Sequence, residues 1–82
     1  MEKEEFLKSK EFMKLGRAIE TGNWQIAGMT AQRMQKMAKE SGVSEFDRQL
    51  IMIKQCIAQR KKQEALNSLA QIVSRRVSML NS

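Results

Sequence analysis

The sequence predicts an all-α fold and, within that class, a small antiparallel up-down four-helix bundle. The chain of 82 residues has no proline and only four glycines, so it contains few residues that interrupt helices. It is rich in alanine, glutamine, lysine, glutamate, methionine and leucine, which lose little conformational freedom in a helix. Apolar residues recur at helical spacing in four segments separated by short breaks. We therefore expect a single domain over residues 1–82, with helices at about 2–21, 24–40, 45–59 and 63–80.

The first predicted helix has an apolar face and a well-marked end. Gly22 suits the left-handed position that follows a helix, and the side-chain oxygen of Asn23 can cap the next helix. The face has the spacing i, i+3, i+4, i+7, and two further apolar residues lie on an adjoining stripe. These residues are Phe12, Leu15, Gly16 and Ile19, with Phe6 and Met13 beside them.

The second predicted helix buries a seam of mostly small residues, which would allow a neighbouring helix to approach closely. Gly42 is again placed for a left-handed position at the helix end. The seam advances in steps of three and four residues through Trp24, Ala27, Ala31, Met34 and Ala38.

The third and fourth predicted helices are joined by a segment with weak breaking signals. Ser44 and Asp47 can form a weak capping box at the start of the third helix. Residues 59–63 contain no glycine, proline or good cap, so one continuous helix over 44–80 is the alternative, and it would favour a dimer. A turn near 60–63 is preferred, because 37 residues greatly exceed the usual helix length. The two seams are Phe46, Leu50, Ile53 and Ile57, flanked by Ile51 and Cys56, and then Leu66, Leu69, Val73, Val77 and Leu80, widened by Ala65, Ile72 and Met79.

The composition argues against catalysis and against a metal site. With no histidine and a single cysteine, the chain lacks the usual zinc ligands and the usual base for a serine nucleophile. It also has no glycine-rich phosphate-binding loop. We therefore predict no enzymatic activity, no metal and no cofactor. No apolar run approaches the roughly 18 residues of a membrane span and no secretory signal is present, so we expect a cytoplasmic protein that does not enter membranes.

The formal net charge is +6, and the basic excess is marked in residues 61–82, which carry four basic side chains and one acidic side chain. Such a surface favours acidic partners. The basic clusters at 60–62 and 75–76 are short and have no interleaved aromatic residues. Association with nucleic acid is therefore the weakest alternative that we consider, and steep weakening with added salt would reveal it.

The segment AIETGNWQIAGMTAQRMQKMAKESGV, Ala18–Val43, contains a pattern of small and polar residues at fixed spacing. An Ala-Ile pair precedes Gly-Asn-Trp, a run from Ala31 to Met37 follows on the second helix, and Gly42 stands ten residues after Gln32. This pattern resembles the centre of the histidine phosphotransfer domain, a four-helix bundle of two-component signalling. The resemblance covers about residues 12–80, because the last two predicted helices also look like those of the family.

The resemblance implies a phosphotransfer-type domain that has lost its phosphoacceptor. Gln32 occupies the position of the family's histidine, and Gln35 and Lys36 replace a lysine and a glycine of the motif. The lone pair of an amide nitrogen is delocalised, so Gln32 cannot accept a phosphoryl group as imidazole does. What remains is a non-catalytic docking surface for an acidic, receiver-like partner. Its predicted residues lie on the outward stripe of the second helix together with Met29, and they are Gln25, Gly28, Gln32, Gln35, Lys36 and Lys39.

Other interpretations of the same residues stay open. An echo at an offset of 38 residues, in which Ile19, Gln25 and Ala27 match Ile57, Gln63 and Ala65, is compatible with stacked helix hairpins. Such a module, similar to tetratricopeptide repeats, would bind a peptide in a concave groove. The polar stripe of the second helix can also be an ordinary solvated surface, and self-association is a further alternative.

Overall fold

The computed structural model describes residues 1–81, and in this range it is helical with no strands. Four helices pack around one core as a small bundle, which confirms the predicted fold class, and a short fifth helix precedes them. The helices α2 to α5 are joined by short connections at 21–23, 41–46 and 59–61, so consecutive helices run antiparallel. The helices are α1 (Lys3–Leu7), α2 (Glu11–Glu20), α3 (Trp24–Glu40), α4 (Asp47–Ala58) and α5 (Lys62–Leu80).

The segment predicted as one helix over 2–21 is interrupted between α1 and α2, so this predicted boundary is wrong. The side-chain oxygen of Ser9 accepts a hydrogen bond from the backbone N–H of Glu11 at 3.1 Å, which offers the backbone an alternative to a continuous helix. In an unbroken helix, Phe6 and Phe12 would point in directions about 120° apart. The interruption brings their ring centroids to 5.4 Å and lets both side chains be buried. Tertiary packing therefore overrides the local helical pattern.

An aromatic cluster closes one end of the bundle. Phe6 of α1, Phe12 of α2 and Phe46, which precedes α4, are buried against one another, and the ring of Phe46 is 6.1 Å from each of the other two. The guanidinium carbon of Arg76 on α5 lies 4.9 Å from the centroid of Phe12, which is within the range of a cation–π contact. Three helices and the segment entering α4 are thus joined at this end by direct contacts.

The helices α2, α3 and α4 end in the same type of reversal. A left-handed residue follows each of them, Gly22 with φ of 72°, Gly42 with φ of 70° and Arg60 with φ of 56°. The next residue then donates its N–H to a carbonyl five positions back, which is the long hydrogen bond of a Schellman motif. These bonds run from Asn23 to Ala18 at 2.8 Å, from Val43 to Ala38 at 2.9 Å and from Lys61 to Cys56 at 2.8 Å.

The reversals decide between the alternatives for chain connection. Both glycines have the predicted left-handed conformation, and the chain breaks at 59–61, so a single helix over 44–80 is wrong. The predicted cap of α3 is also confirmed, since Oδ1 of Asn23 accepts from the backbone N–H of Ile26 at 3.3 Å. The predicted capping box at Ser44 is wrong. Helix α4 begins at Asp47 without a side-chain cap, and it is the backbone carbonyl of Ser44 that accepts from the N–H of Asp47.

The buried faces of α2, α3 and α4 follow the predicted apolar seams, except that Trp24 is only half-buried. The predicted seam of α5 is wrong in position, because only Leu69 of its five residues is buried. On α3 the residues Ala27, Ala31, Met34 and Ala38 are fully buried. Three residues assigned to seams or their flanks are largely exposed instead: Met13 at 77%, Ile51 at 49% and Val77 at 47% of their full accessibility. In the last turns of α5, Val73 and Leu80 are partly buried against the core, whereas Val77 faces solvent. The buried face of α5 is Ala65, Ser68, Leu69 and Ile72.

The bundle closes where α2 meets α5. A Cβ atom placed on Gly16 would stand 3.2 Å from Cδ2 of Leu69, closer than ordinary van der Waals contact. The missing side chain of Gly16 therefore allows the two helices to approach closely. Because α2 contacts both α3 and α5, the second hairpin packs back against the first around a common core.

Substitutions at the left-handed residues Gly42 and Arg60 are expected to change the free energy of unfolding in opposite directions. We expect Gly42→Ala to lower the free energy of unfolding by about 1 kcal/mol, because a Cβ strains a left-handed backbone. The added carbon itself would meet no atom within 4 Å. We expect Arg60→Gly to raise the free energy of unfolding by about 1 kcal/mol, because it relieves the same strain. Urea denaturation followed by circular dichroism measures both changes.

The matched control is Gln59→Gly, one residue before the reversal. Gln59 has φ of −93°, so glycine there relieves no strain and should lower the stability. Equal effects of Gln59→Gly and Arg60→Gly would show that the left-handed conformation of Arg60 does not cost free energy.

Candidate functional site

The outward face of α3 is polar and basic. Gln25, Gln32, Lys36 and Lys39 are exposed along it, and no acidic residue occurs between Thr21 and Lys39. Among residues 1–81, neither of these lysines forms an ion pair or a side-chain hydrogen bond. Their charges are therefore available to a partner rather than neutralised within the bundle.

Two of the predicted docking residues lie at the boundary with α4 instead of on the open face. Gln35 is half-buried, and its Oε1 accepts a hydrogen bond from Nζ of Lys54 at 2.9 Å. Gly28 is also half-buried, and a Cβ atom at this position would be 3.9 Å from Cγ2 of Ile57. This distance is an ordinary van der Waals contact, so Gly28 faces α4 and not the outward face. The structure divides the predicted set into four exposed residues and two that face the neighbouring helix.

The opposite flank of α3 is fixed to α2. Nη1 of Arg33 donates to both carboxylate oxygens of Glu11 at 3.3 Å. The Glu11 side chain is only 18% exposed, whereas that of Arg33 is 46% exposed. One polar contact on each side therefore borders the outward face, Arg33 with Glu11 towards α2 and Gln35 with Lys54 towards α4.

Met29 adds an apolar contact surface to this polar face. It is 58% exposed and shares the outward stripe with Gln25, Gln32 and Lys36 at helical spacing. An exposed methionine can adapt its shape to different partners because its side chain is unbranched and polarisable. The face therefore offers hydrogen-bonding, charged and apolar groups together.

A cleft of about 530 Å³ lies between the C-terminal half of α3 and the start of α4. Two predicted docking residues, Gln35 and Lys39, line it on one side, and Asp47 and Ile51 line it on the other. Sequence reasoning did not identify this cleft, because it depends on how α4 is placed after the 41–46 connection. Of the sequence observations, only the position of Ile51 beside the third seam pointed to an apolar residue at this place.

A smaller cleft of about 240 Å³ lies on the other side of α3, against α2. Lys14 and Arg17 of α2 and Ile26 of α3 contribute to its walls. Ile26 is 41% exposed, so this cleft is open to solvent. None of the predicted docking residues lines it.

The remaining site chemistry concerns metals, membranes and the thiol. In residues 1–81, no three His, Cys, Asp or Glu side chains are grouped as metal ligands. None of the helices in this range is long and apolar enough to cross a membrane. Cys56 is half-buried against the core and is not part of a disulfide.

The different surroundings of Gln35 and Gln32 can be measured as a difference in stability. We expect Gln35→Ala and Lys54→Ala each to destabilise the protein, and a double-mutant cycle to give a coupling of about 0.5–1.5 kcal/mol for their hydrogen bond. Gln32→Ala is the control on the same helix. Since Gln32 is exposed and makes no hydrogen bond among the described residues, we expect a change within about 0.5 kcal/mol. A coupling of zero would mean that the bond contributes nothing to stability.

Comparisons with known proteins do not assign the chain to a family. No family model, no curated protein and no solved structure matches it. What the chain does must therefore be inferred from the α3 surface, from the cleft beside it and from the motif pattern within residues 12–80.

Proposed function

We propose that the protein is a non-catalytic interaction module that resembles an inactive histidine phosphotransfer domain. In this proposal, the outward face of α3 docks an acidic, receiver-like domain of a protein partner. The observation that supports it best is the charge of α3, whose exposed Lys36 and Lys39 form no ion pair among the described residues. The acidic residue nearest to them on the helix is Glu40, at its C-terminal end. Oppositely charged surfaces attract and orient each other before contact.

The position of Gln32 supports a docking role without phosphotransfer. It is exposed on the middle turns of α3, at the point of the motif pattern where the family has its histidine. An amide group provides two N–H donors and one carbonyl acceptor but no nucleophilic nitrogen. Gln32 can therefore hydrogen-bond to a partner surface, although it cannot carry a phosphoryl group.

A rigid base for the outward face also supports the proposal. The seam of α3 is fully buried at Ala27, Ala31, Met34 and Ala38, so the helix is held by the core along most of its length. Side chains on a well-packed helix lose less freedom on binding than those on a mobile segment. The outward face is thus already arranged for contact before a partner arrives.

The closed bundle disfavours a tetratricopeptide-like scaffold. Stacked hairpins would form a concave groove between successive pairs of helices, whereas here α2 packs against α5 through Gly16 and Leu69. The four helices share a single core. The echo at 38 residues is thus better explained by similar helix spacing than by repeat units.

Contacts within the bundle also use several residues of the two basic clusters. Lys61 pairs with Glu64 at 3.9 Å, and Nζ of Lys62 donates to the carbonyl of Glu20 at 2.8 Å. Arg76 lies over the ring of Phe12. These contacts reduce the number of basic side chains in the clusters that are available to bind phosphate groups of a nucleic acid. The basic face of α3 is therefore the stronger candidate for a binding surface.

The charge of α3 can be tested with receiver domains from the same organism. We expect Lys36→Glu combined with Lys39→Glu to weaken binding of a receiver by about tenfold or more, because it replaces attraction with repulsion. Isothermal titration calorimetry at two salt concentrations measures the affinity. The matched control combines Lys14→Glu with Arg17→Glu on α2, which makes the same change in net charge on exposed residues that line the smaller cleft and do not belong to the outward face of α3.

Equal weakening by both double variants would contradict the proposed location, because it would mean that only net charge matters. If no receiver domain binds the unaltered protein, the proposal of a receiver-like partner is wrong.

The lack of phosphotransfer chemistry has its own test. We expect Gln32→His alone not to form a stable phosphohistidine with a phosphorylated receiver, because Gln35 and Lys36 also differ from the family's motif. Phosphate-affinity electrophoresis and ³¹P NMR measure the modification, and circular dichroism verifies that the variant is folded. Stoichiometric phosphohistidine on this single variant would contradict the expectation that the other two positions matter.

A further inference from the structure

The cleft between α3 and α4 differs from the outward face in having an apolar side. Ile51 of α4 lines it and is 49% exposed, although an isoleucine of an amphipathic helix is usually buried. Val43 lines it from the 41–46 connection, and Ala38 from α3. Val43 and Ala38 are 1% and 0% exposed, so Ile51 is the apolar lining residue that another molecule can contact most.

The two walls of the cleft carry opposite charges. Lys39 stands on the α3 wall and Asp47 on the α4 wall. Neither residue forms an ion pair within residues 1–81. Asp47 is also the first residue of α4, where a negative charge interacts favourably with the helix dipole. The charge on each wall is thus available for an interaction with a partner.

The surface continues from the α3 wall onto the basic outward face. Lys36 lies one turn before Lys39 and is exposed. A partner that covers the cleft from the α3 side therefore meets Lys36 and Lys39, and it meets the carboxylate of Glu40 only at the C-terminal end of the helix. A partner that approaches from the α4 side meets Asp47 first.

From this arrangement we propose that the cleft receives an apolar side chain of an acidic amphipathic helix belonging to the protein partner. The apolar side chain packs against Ile51, and the acidic side chains of the helix lie against Lys36 and Lys39. Asp47 repels the acidic side chains on the other wall and so selects one orientation of the helix. This inference rests on the proposed function, since it assigns part of the partner's contact to the cleft.

The experiment uses the isotope-labelled full chain and two synthetic helical peptides. Both peptides have leucines at i, i+3, i+4 and i+7, and their other positions are mainly glutamate in one and lysine in its matched counterpart. NMR titration follows the backbone signals of Lys39, Gly42 and Val43 and the methyl signals of Ile51. We expect the acidic peptide to shift these signals in a saturable manner and the basic peptide to leave them unchanged.

Variants then test each wall of the cleft. We expect Ile51→Gln to weaken binding of the acidic peptide by about tenfold, since it removes apolar contact area. Met52→Gln is the control, because Met52 is 45% exposed on the same helix but does not line the cleft. We expect Asp47→Asn to strengthen binding of the acidic peptide by about twofold and Lys39→Glu to weaken it by about tenfold.

The outcomes separate this inference from the proposed function. Failure of the acidic peptide to shift the cleft signals, or equal effects of Ile51→Gln and Met52→Gln, overturns the cleft assignment. If a receiver domain still binds and is weakened by the lysine variants of α3, the proposed function stands while this inference fails. Loss of receiver binding in Ile51→Gln but not in Met52→Gln supports both.

Discussion

The arrangement of the helices depends on three places where the chain leaves a helix through a left-handed residue. At Gly22, Gly42 and Arg60 the last carbonyl groups of a helix receive hydrogen bonds from the reversing chain, and the next helix starts within a few residues. Each reversal turns the chain back, so that apolar seams far apart in the sequence face each other. Without the reversal at Arg60, α4 and α5 would point away from each other and could not cover the same core.

The sequence predicts these reversals unequally, and the reason is physical. Glycine adopts positive φ without a steric penalty, so Gly22 and Gly42 could be recognised directly. Arg60 carries a Cβ that disfavours this conformation by about 1–2 kcal/mol. Residues 59–63 also contain no glycine or proline that would indicate a turn. Only helix length favoured it. Packing between the two hairpins compensates for the strain, and such packing is not visible in local sequence.

The remaining differences between sequence and structure have the same origin. Helical periodicity identified four of the buried residues of α3, although not Thr30, and the exposed positions of Gln25, Gln32, Lys36 and Lys39. It could not show which flank of α3 faces which neighbour, because that depends on the placement of α4. The contact of Gln35 with Lys54 and the cleft beside it therefore emerged only in three dimensions. The break near Ser9 was missed for a related reason, since it serves a contact between Phe6 and Phe12.

The same helix organises the core and the candidate surface. Small buried residues let α3 lie close to its neighbours, and polar contacts to α2 and α4 border what is left exposed. The exposed part is consequently a narrow strip on a helix whose backbone is held by the core. A strip of this kind can distinguish partners by the order of charges along it, because neither the helix nor its flanking contacts need to move on binding.

The aromatic cluster also has a consequence for the order of events during folding. Each helical hairpin is made of segments close in sequence, so α2 with α3 and α4 with α5 can pair after closing only short loops. The cluster instead joins Phe6 and Phe12 to Phe46 and Arg76, and it needs both hairpins to have met. A helix as short as α1 is not stable alone. We therefore expect α1 to become ordered in the final step of folding, when Phe6 enters the end of an assembled bundle.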